Sequence, residues 1–559
     1  MGLGRLFSQQ ELFLSGTRRY AYQYALWPLW RGDCRPTRQA GGIRRLEKHF
    51  PRCRQDHTGV MMTMTTMNSP DFPLAQSPEQ AGLSSRSVQR FLETLEQART
   101  CIHGFLIIRH GQVVAEGYWP PFSAARKHRM YSVSKSFVSL AVGLMIDEGK
   151  LRLDDRVARF FPDKTPADLH PYLAEATVRD LLMMATPHSE NSYGCSDADF
   201  AWTFFNKKPT HPPGTIFSYD TAATVVLGTI VERISGQPFL EYMRPRLLDP
   251  IGFSPDAWCV RTPEGTSWGG SGVICTLRDM ARLATVCLNR GRWGDRQLIS
   301  AAYIDAATAR QIDNSLIHGN TGYGYQIWRE KHNGFSFRGM GSQFAYCFPD
   351  RDFIFACIAD TQGDGPTGTD IEDAMWREIY AQLSDAPLPE DPPALARLRE
   401  KIASLAWVPQ DGERQSPTSA QVSGRWYQLN ENPMGITRTR LIFNASGDKV
   451  LWEYTNGQGD NRLELGIGCY AADHFPQLNY FGSQIGTIPG LRYDCQSSAA
   501  WVEPEKLAAR VYITDNYLGT LKMTMAFKGD EIAIHMTKVA EWFLDEYQGF
   551  AGGKAAQPR

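Results

Sequence analysis

The sequence predicts an α+β chain: an antiparallel sheet flanked by helices, carrying an inserted all-helical subdomain, followed by a C-terminal all-β domain. Three observations predict it. Strand-like runs stand at both ends of residues 75–385 with helical patterns between them, the order expected when one antiparallel sheet is assembled from both ends. The stretch Leu388-Pro389-Glu390-Asp391-Pro392-Pro393 has the composition of a linker. From Val422 onward, short strand-like runs alternate with turn residues, as in a sandwich or small barrel. These features divide the chain into a basic extension over 1–70, an α+β domain over 75–385, a linker with a short helix over 386–420 and a β-domain over 421–550.

The elements follow in order. Leu83 to Ala98 has an amphipathic helical pattern after the polar start Ser77-Pro78-Glu79. Gly104 to Arg109 and Gln112 to Trp119 form a hairpin across the turn His110-Gly111. The run from Phe137 to Ile146 is apolar on nearly every face, so its helix belongs in the domain centre, stopping at Gly149. Leu151 to Phe161 reads as a short helix ending at Pro162, and Thr177 to Met184 as another. The polar, irregular stretch from there to Pro213 is a candidate lip for a cleft. Helices are predicted over Ala223–Ser235, Thr276–Asn289 and Asp370–Leu383, and strands over Gln343–Phe348 and Phe353–Ala359. The C-terminal runs are Gly424–Tyr427, Thr437–Phe443, Lys449–Tyr454, Val511–Thr514 and Leu521–Phe527.

Bulk properties exclude several functions. The formal net charge is -1, which gives no electrostatic argument for nucleic acid or an anionic membrane surface. No apolar run reaches the roughly 20 residues of a membrane-spanning helix. The 11 cysteines are scattered with no C-x-x-C, which points to free thiols and a reducing, cytoplasmic compartment. No metal-ligand spacing is present, and neither a metal nor another cofactor is expected. The first 60 or so residues are rich in arginine and carry no secretory pattern. Met61, Met62, Met64 and Met67 cluster just after them; either the native start lies among these four and the upstream part is a translated leader, or the upstream part is a disordered basic tail or a transit-like segment.

Chemistry concentrates at Ser132-Val133-Ser134-Lys135, at the mouth of the buried helix. Three residues is nearly one helical turn, so Ser132 and Lys135 share a face. A serine hydroxyl becomes a useful nucleophile when a neighbour takes its proton. Desolvation and a helix N-terminus both favour the neutral amine of a lysine placed to do so, and the same N-terminus favours an oxyanion. Downstream, Pro213 to Thr221 runs into the 223–235 helix and places Tyr219 on the loop before it. Its phenol is suited to shuttle a proton between Ser132 and a leaving group. A rival motif, Gly265-Thr266-Ser267-Trp268-Gly269, matches G-x-S-x-G, which requires a preceding strand and a helix at once after it. Pro263 and a glycine-rich sequence flank it instead, so Ser267 is expected in a loop without a catalytic role.

Together, Tyr131 to Ser136, Pro213 to Gly236 and Gly269-Gly270-Ser271-Gly272-Val273 resemble the serine hydrolases of the class C β-lactamase and penicillin-binding-protein superfamily, over about residues 75–385. The resemblance implies a β-lactamase/transpeptidase-like fold and a Ser132 acyl-enzyme. It implies Lys135 as base or relay, and Tyr219 as the partner that protonates the leaving group. It places the oxyanion between the N–H of Ser132 and the strand near 339–343, through Met340 and the adjoining Gly341. Two departures stand out. The family's Y-x-N reads Tyr219-Asp220-Thr221, and its K-T-G strand reads Phe335-Ser336-Phe337-Arg338-Gly339-Met340-Gly341-Ser342-Gln343. Arg338 is either a replacement for the lost substrate-binding charge or a solvated edge residue. These losses turn the expected substrate from β-lactams towards small-molecule esters or short amides, as in the esterase and 6-aminohexanoate-oligomer hydrolase branch. A β-lactamase or D-amino-acid peptidase, and an inactive binding protein of the same fold, are the alternatives. The segment Val422-Ser423-Gly424-Arg425-Trp426-Tyr427 is similar to lipocalin-like domains appended to such hydrolases.

Overall fold

The structure, a computed structural model, describes residues 72–194, 196–315, 321–362, 368–476, 492–540 and 543–556. The basic extension and the four clustered methionines lie outside the described residues.

The first domain is built on a six-stranded sheet in the order Gln112–Tyr118, Ile102–Arg109, Phe353–Ala359, Gln343–Phe348, Phe335–Gly339, Trp328–Arg329. Every pairing in it is antiparallel. Strands from the two ends of the domain meet where Ile102–Arg109 pairs with Phe353–Ala359, as the predicted order requires. These two strands are buried along their whole length and read as continuous apolar runs, because helices cover both faces. On one face, Val88, Phe91, Leu92 and Leu95 of the Ser85–Gln97 helix pack on Phe105, Ile107, Phe355 and Cys357. On the other, Phe137 and the Leu277–Leu288 helix pack on Leu106, Phe337 and Ala356.

The central helix runs Ser134–Asp147, and every residue from Ser134 to Met145 is buried. Gly149 lies past its end at φ +68, the left-handed conformation that glycine adopts without a Cβ penalty. Thr221–Ser235 packs beside it, started by the Asp220 side chain on the Ala222 N–H and stopped at Gly236. The predicted helices at 177–184 and 276–289 appear as Val178–Leu182 and Leu277–Leu288. Thr177–Asp180 and Thr276–Asp279 are reciprocal capping pairs.

One expected helix is absent. Leu151 to Phe161 contains only the 3-10 turn Val157–Phe160. Its backbone bonds go sideways: Val157 N–H to Ala176 O, Val178 N–H to Asp155 O and Arg179 N–H to Leu153 O. A neighbouring segment satisfies these groups before a helix can. The polar stretch after Met184 is also more ordered than a lip. It contains the helix Phe200–Asn206, and Tyr193 stacks on Phe200 at 3.8 Å between ring centroids.

The linker is docked rather than loose. Pro392–Ala403 is a helix, Asp391 pairs with Arg86 at 2.9 Å, and the Trp407 Nε1–H donates to Ile102 O at 2.8 Å. The C-terminal domain is a ten-stranded antiparallel sheet that curls until its ends meet. Ala471–Pro476 takes one part of the edge of Arg492–Glu503, and Gly466 and Ile467 take Ser498 and Ala499 in parallel. The expected all-β domain is therefore a closed barrel. Tyr427, Trp452, Leu465, Val511, Met523, Ile534 and Met536 are buried in it as a packed core. In Glu531–Val539, Ile532, Ile534 and Met536 face inward and alternate with Glu531, Ala533 and His535, an apolar alternation that the sequence reading missed. Among the described residues, no helix is long and apolar enough to cross a membrane.

Candidate active site

Ser132 lies in the 3-10 turn Tyr131–Val133, which feeds directly into the buried helix. It is half-buried, while Lys135, one turn on, is only 1% exposed. The Lys135 Nζ donates to Ser132 Oγ at 2.9 Å and to the Gly270 carbonyl at 2.7 Å. The amine is thus aimed at the hydroxyl from a fixed position. Gly270 has to be glycine to supply that carbonyl. A Cβ there would lie 2.4 Å from Thr221 Cγ2 and 3.0 Å from Thr221 O, at the start of the neighbouring helix. The rest of the loop is stitched down as well. The Val273 N–H donates to Ser134 Oγ at 2.9 Å, and the Met130 N–H donates to Val273 O at 2.9 Å.

Tyr219 comes from the loop just before Thr221–Ser235, and its ring face lies 4.9 Å from Lys135 Nζ. The next residue, Asp220, fixes this loop. It is fully buried and accepts from the Ala222 N–H at 2.9 Å and the Ser192 N–H at 3.3 Å. Burial pushes its carboxyl up to about 6, and the backbone N–H donors oppose that rise. The other face of Tyr219 is held by aromatic packing. Trp328 stacks on it at 5.5 Å, with Phe217 and Tyr323 behind. Sequence reasoning missed Trp328 and the role of Gly270. The Gly269-Gly270 pair was the only signal for the latter; nothing local marks a lone tryptophan as a site residue.

The far wall is the hairpin between Phe335–Gly339 and Gln343–Phe348. Gly339 backs onto the segment before Ser132 so closely that a Cβ would sit 2.3 Å from Met130 O. The turn Met340-Gly341-Ser342 is tight, with Gly341 at φ +75 and Ser342 at φ +69. Gln343 braces it, its Nε2 donating to Met340 O and Ala359 O, both at 2.8 Å. Met340 and Gly341 are therefore carried on a rigid edge beside the segment bearing Ser132.

Arg338 does not join them. Its guanidinium pairs with Glu330 at 2.7 Å and Glu372 at 3.0 Å and lies over the ring of Tyr346. Neighbouring residues of a strand point to opposite faces, and Arg338 takes the face of Phe344 and Tyr346 while Gly339 takes that of Met130. Only 14% of its side chain is exposed, so it is neither a solvated edge residue nor an available anchor for a substrate carboxylate. Ser267 lies in a loop, where it forms an isolated bridge with Arg261, and its N–H is directed at Glu232 Oε1. The strand–turn–helix that G-x-S-x-G needs is not there.

The model of the family described as Beta-lactamase matches residues 102–382. The 6-aminohexanoate-dimer hydrolase of Paenarthrobacter ureafaciens is 29% identical over 236 residues, which cover 39% of this chain and 60% of that protein. The esterase EstB of Burkholderia gladioli is 26% identical over 219 residues, 34% of this chain and 56% of the esterase. The chain thus spans somewhat under two thirds of the length of these two relatives. Among solved structures, a putative 6-aminohexanoate-dimer hydrolase from Bacillus anthracis superposes with a TM-score of 0.47 at 19% identity, over 58% of this chain and 91% of that one. The family match takes in the central helix, the Tyr219 loop and the far-wall hairpin, and spans half of the sequence: this chain belongs to the Beta-lactamase family.

Proposed function

We propose that the protein is a serine hydrolase that cleaves small esters or short amides through an acyl-enzyme on Ser132. The observation that carries this reading is the 2.9 Å contact from a buried Lys135 Nζ to Ser132 Oγ, with Gly270 O holding the amine in place. In the reaction, Ser132 Oγ attacks the substrate carbonyl as its proton moves to the Lys135–Tyr219 pair. The oxyanion is received by the N–H groups of Ser132 and Met340. The tetrahedral intermediate collapses, the C–O or C–N bond breaks, and the pair returns the proton to the departing alcohol or amine. A water then repeats the sequence on the acyl-enzyme and releases the acid. Trp328 and Phe217 extend the Tyr219 wall as an apolar surface for the leaving or acyl group.

The bias towards esters and short amides rests on Thr221 at the Y-x-N position and on the engagement of Arg338 by Glu330 and Glu372. Both remove contacts that a β-lactam carboxylate and side-chain amide would use. The names of the hydrolase and esterase relatives point the same way.

The test is intact-mass detection of a covalent adduct with a fluorophosphonate, alongside turnover of p-nitrophenyl esters, short amides and nitrocefin. The expected result is an adduct on wild type that is lost in Ser132→Ala and kept in Ser267→Ala, with ester or amide turnover exceeding nitrocefin turnover. Loss of the adduct only in Ser267→Ala, or nitrocefin turnover on the order of 10 per second, would overturn it.

A further inference from the structure

We propose that the C-terminal barrel is a working part of the catalytic centre: through Tyr517 and Leu518 it clamps Arg129 and Tyr131 and so holds the residue before the nucleophile in a left-handed conformation. This rests on Ser132 being the nucleophile.

Tyr131 has φ +47, a region that a bulky side chain enters only at a cost. Such a conformation persists when the surroundings over-determine it. Here the surroundings come from two domains. The Leu518 N–H, at the start of the barrel strand Leu518–Lys528, donates to Tyr131 Oη at 3.3 Å. Arg129 is fully buried and its guanidinium lies 4.6 Å from the Tyr131 ring and 5.3 Å from the Tyr517 ring, between the hydrolase segment and the barrel. It also lies 4.9 Å from the Trp268 ring. Its Nε–H donates to Ser271 O at 3.0 Å, next to the Gly270 whose carbonyl holds Lys135. The barrel therefore grips both supports of the dyad: the backbone in front of Ser132 and, through Arg129, the loop behind Lys135. Tyr517 is anchored by its own barrel neighbours, Tyr493 at 6.0 Å and Phe543 at 6.4 Å between ring centroids. A second contact keeps the two domains in register, as Arg126 donates to Asp494 Oδ2 at 3.1 Å and Thr514 O at 2.6 Å.

The barrel core is filled with apolar side chains, so its part in catalysis is exerted from its rim. Tyr131, Arg129 and Tyr517 are positioning residues: they act through the backbone of Ser132 and the loop of Lys135.

The experiment compares Tyr131→Ala with Tyr131→Gly in the full chain. Both lose the ring and the Oη contact, but glycine enters positive φ without a Cβ penalty. Fluorophosphonate acylation, followed by intact mass, is expected to fall about tenfold or more in Tyr131→Ala. It is expected to recover to within a few-fold of wild type in Tyr131→Gly. A role in packing alone gives equal losses, and that result would overturn the proposal. Tyr517→Leu is expected to slow acylation in the parent and to add little on the Tyr131→Gly background; additive losses would also overturn it. Tyr131→Phe, which keeps the ring and removes only the acceptor for the Leu518 N–H, guards against misfolding and is expected to lose a few-fold in kcat with KM unchanged. An unchanged kcat in Tyr131→Phe counts against the Leu518 contact and overturns the barrel's part in the clamp. Ser132→Ala separates the two levels: persistent labelling there removes the nucleophile assignment, and the clamp with it.

Discussion

The two walls of the site each bury a cation, and they treat it differently. Lys135 lies against a hydroxyl, a carbonyl and an aromatic face. Arg338, less deep at 14% exposure, lies between the carboxylates of Glu330 and Glu372. Carboxylates stabilise a neighbouring cation, whereas neutral oxygens leave a desolvated amine free to exchange its proton. An arginine, moreover, does not deprotonate in a protein. The first arrangement suits proton transfer and the second suits a structural tie between strand and helix. Burial of Glu372 pushes its carboxyl up, and the Arg338 guanidinium beside it opposes that rise.

The contrast can be broken from either side. The largest effect is expected on the Lys135 side. Lys135→Ala should reduce kcat for a p-nitrophenyl ester by about a thousandfold, within the range for loss of an acid–base group, with little change in the urea unfolding midpoint. An activity loss below tenfold would mean that Tyr219 alone serves as the base. On the other side, Arg338→Met should leave kcat/KM for neutral esters within a few-fold. It should cost about 3–5 kcal/mol in unfolding free energy, because two buried carboxylates lose their partner. A KM increase confined to anionic substrates, with stability intact, would restore Arg338 as a substrate anchor.

Gly270→Ala probes the loop between the walls. The Cβ contact at 2.4 Å must displace Thr221 or the loop, so the carbonyl on Lys135 moves. A loss of about 1–3 kcal/mol of stability is expected, together with a fall in kcat larger than in KM. The smallest effect is expected from pH. Burial holds His128 and His188 down at about 4, and His103 well below its ordinary value. The unfolded chain takes these protons first, so stability drops as pH falls from about 6.5 towards about 4. Asp220, pushed up to about 6, works in the opposite direction over the same interval, since its folded form gains the proton first. Glu264, Asp370 and Glu372, also raised, act with Asp220 but by smaller shifts, so the three histidines still predict a net fall in Tm on acidification. A flat Tm between about pH 7 and about 4.5 would show that the pair His103–His128, joined at 2.8 Å, is charged in the native state.

Legibility in the sequence followed the range of the interactions. The capped helices at 85–97, 221–235 and 277–288 were readable because caps, apolar spacing and stop residues are local. The spacing of Ser132 and Lys135 was readable for the same reason, since one helical turn joins them. The segment 151–161 was not, because its backbone partners lie at 176–179. Arg338 was left open between two roles, and the structure gave it a third. Whether a strand residue meets solvent, substrate or a buried carboxylate depends on which face the register assigns it.

What the sequence by itself determined is the chemistry available: a serine and a lysine one turn apart at the start of a buried helix, a tyrosine before a second helix, and strands placed to close one sheet. Those features are written in spacing, and spacing fixes neighbours along a helix. The tertiary structure alone decided that Arg338 turns to Glu330, that the Gly270 carbonyl completes the lysine's setting, and that a separate barrel contacts the residue in front of Ser132. Those contacts join residues as far as 387 positions apart. Only packing brings such groups together, because local propensity carries no information about what lies across a domain interface.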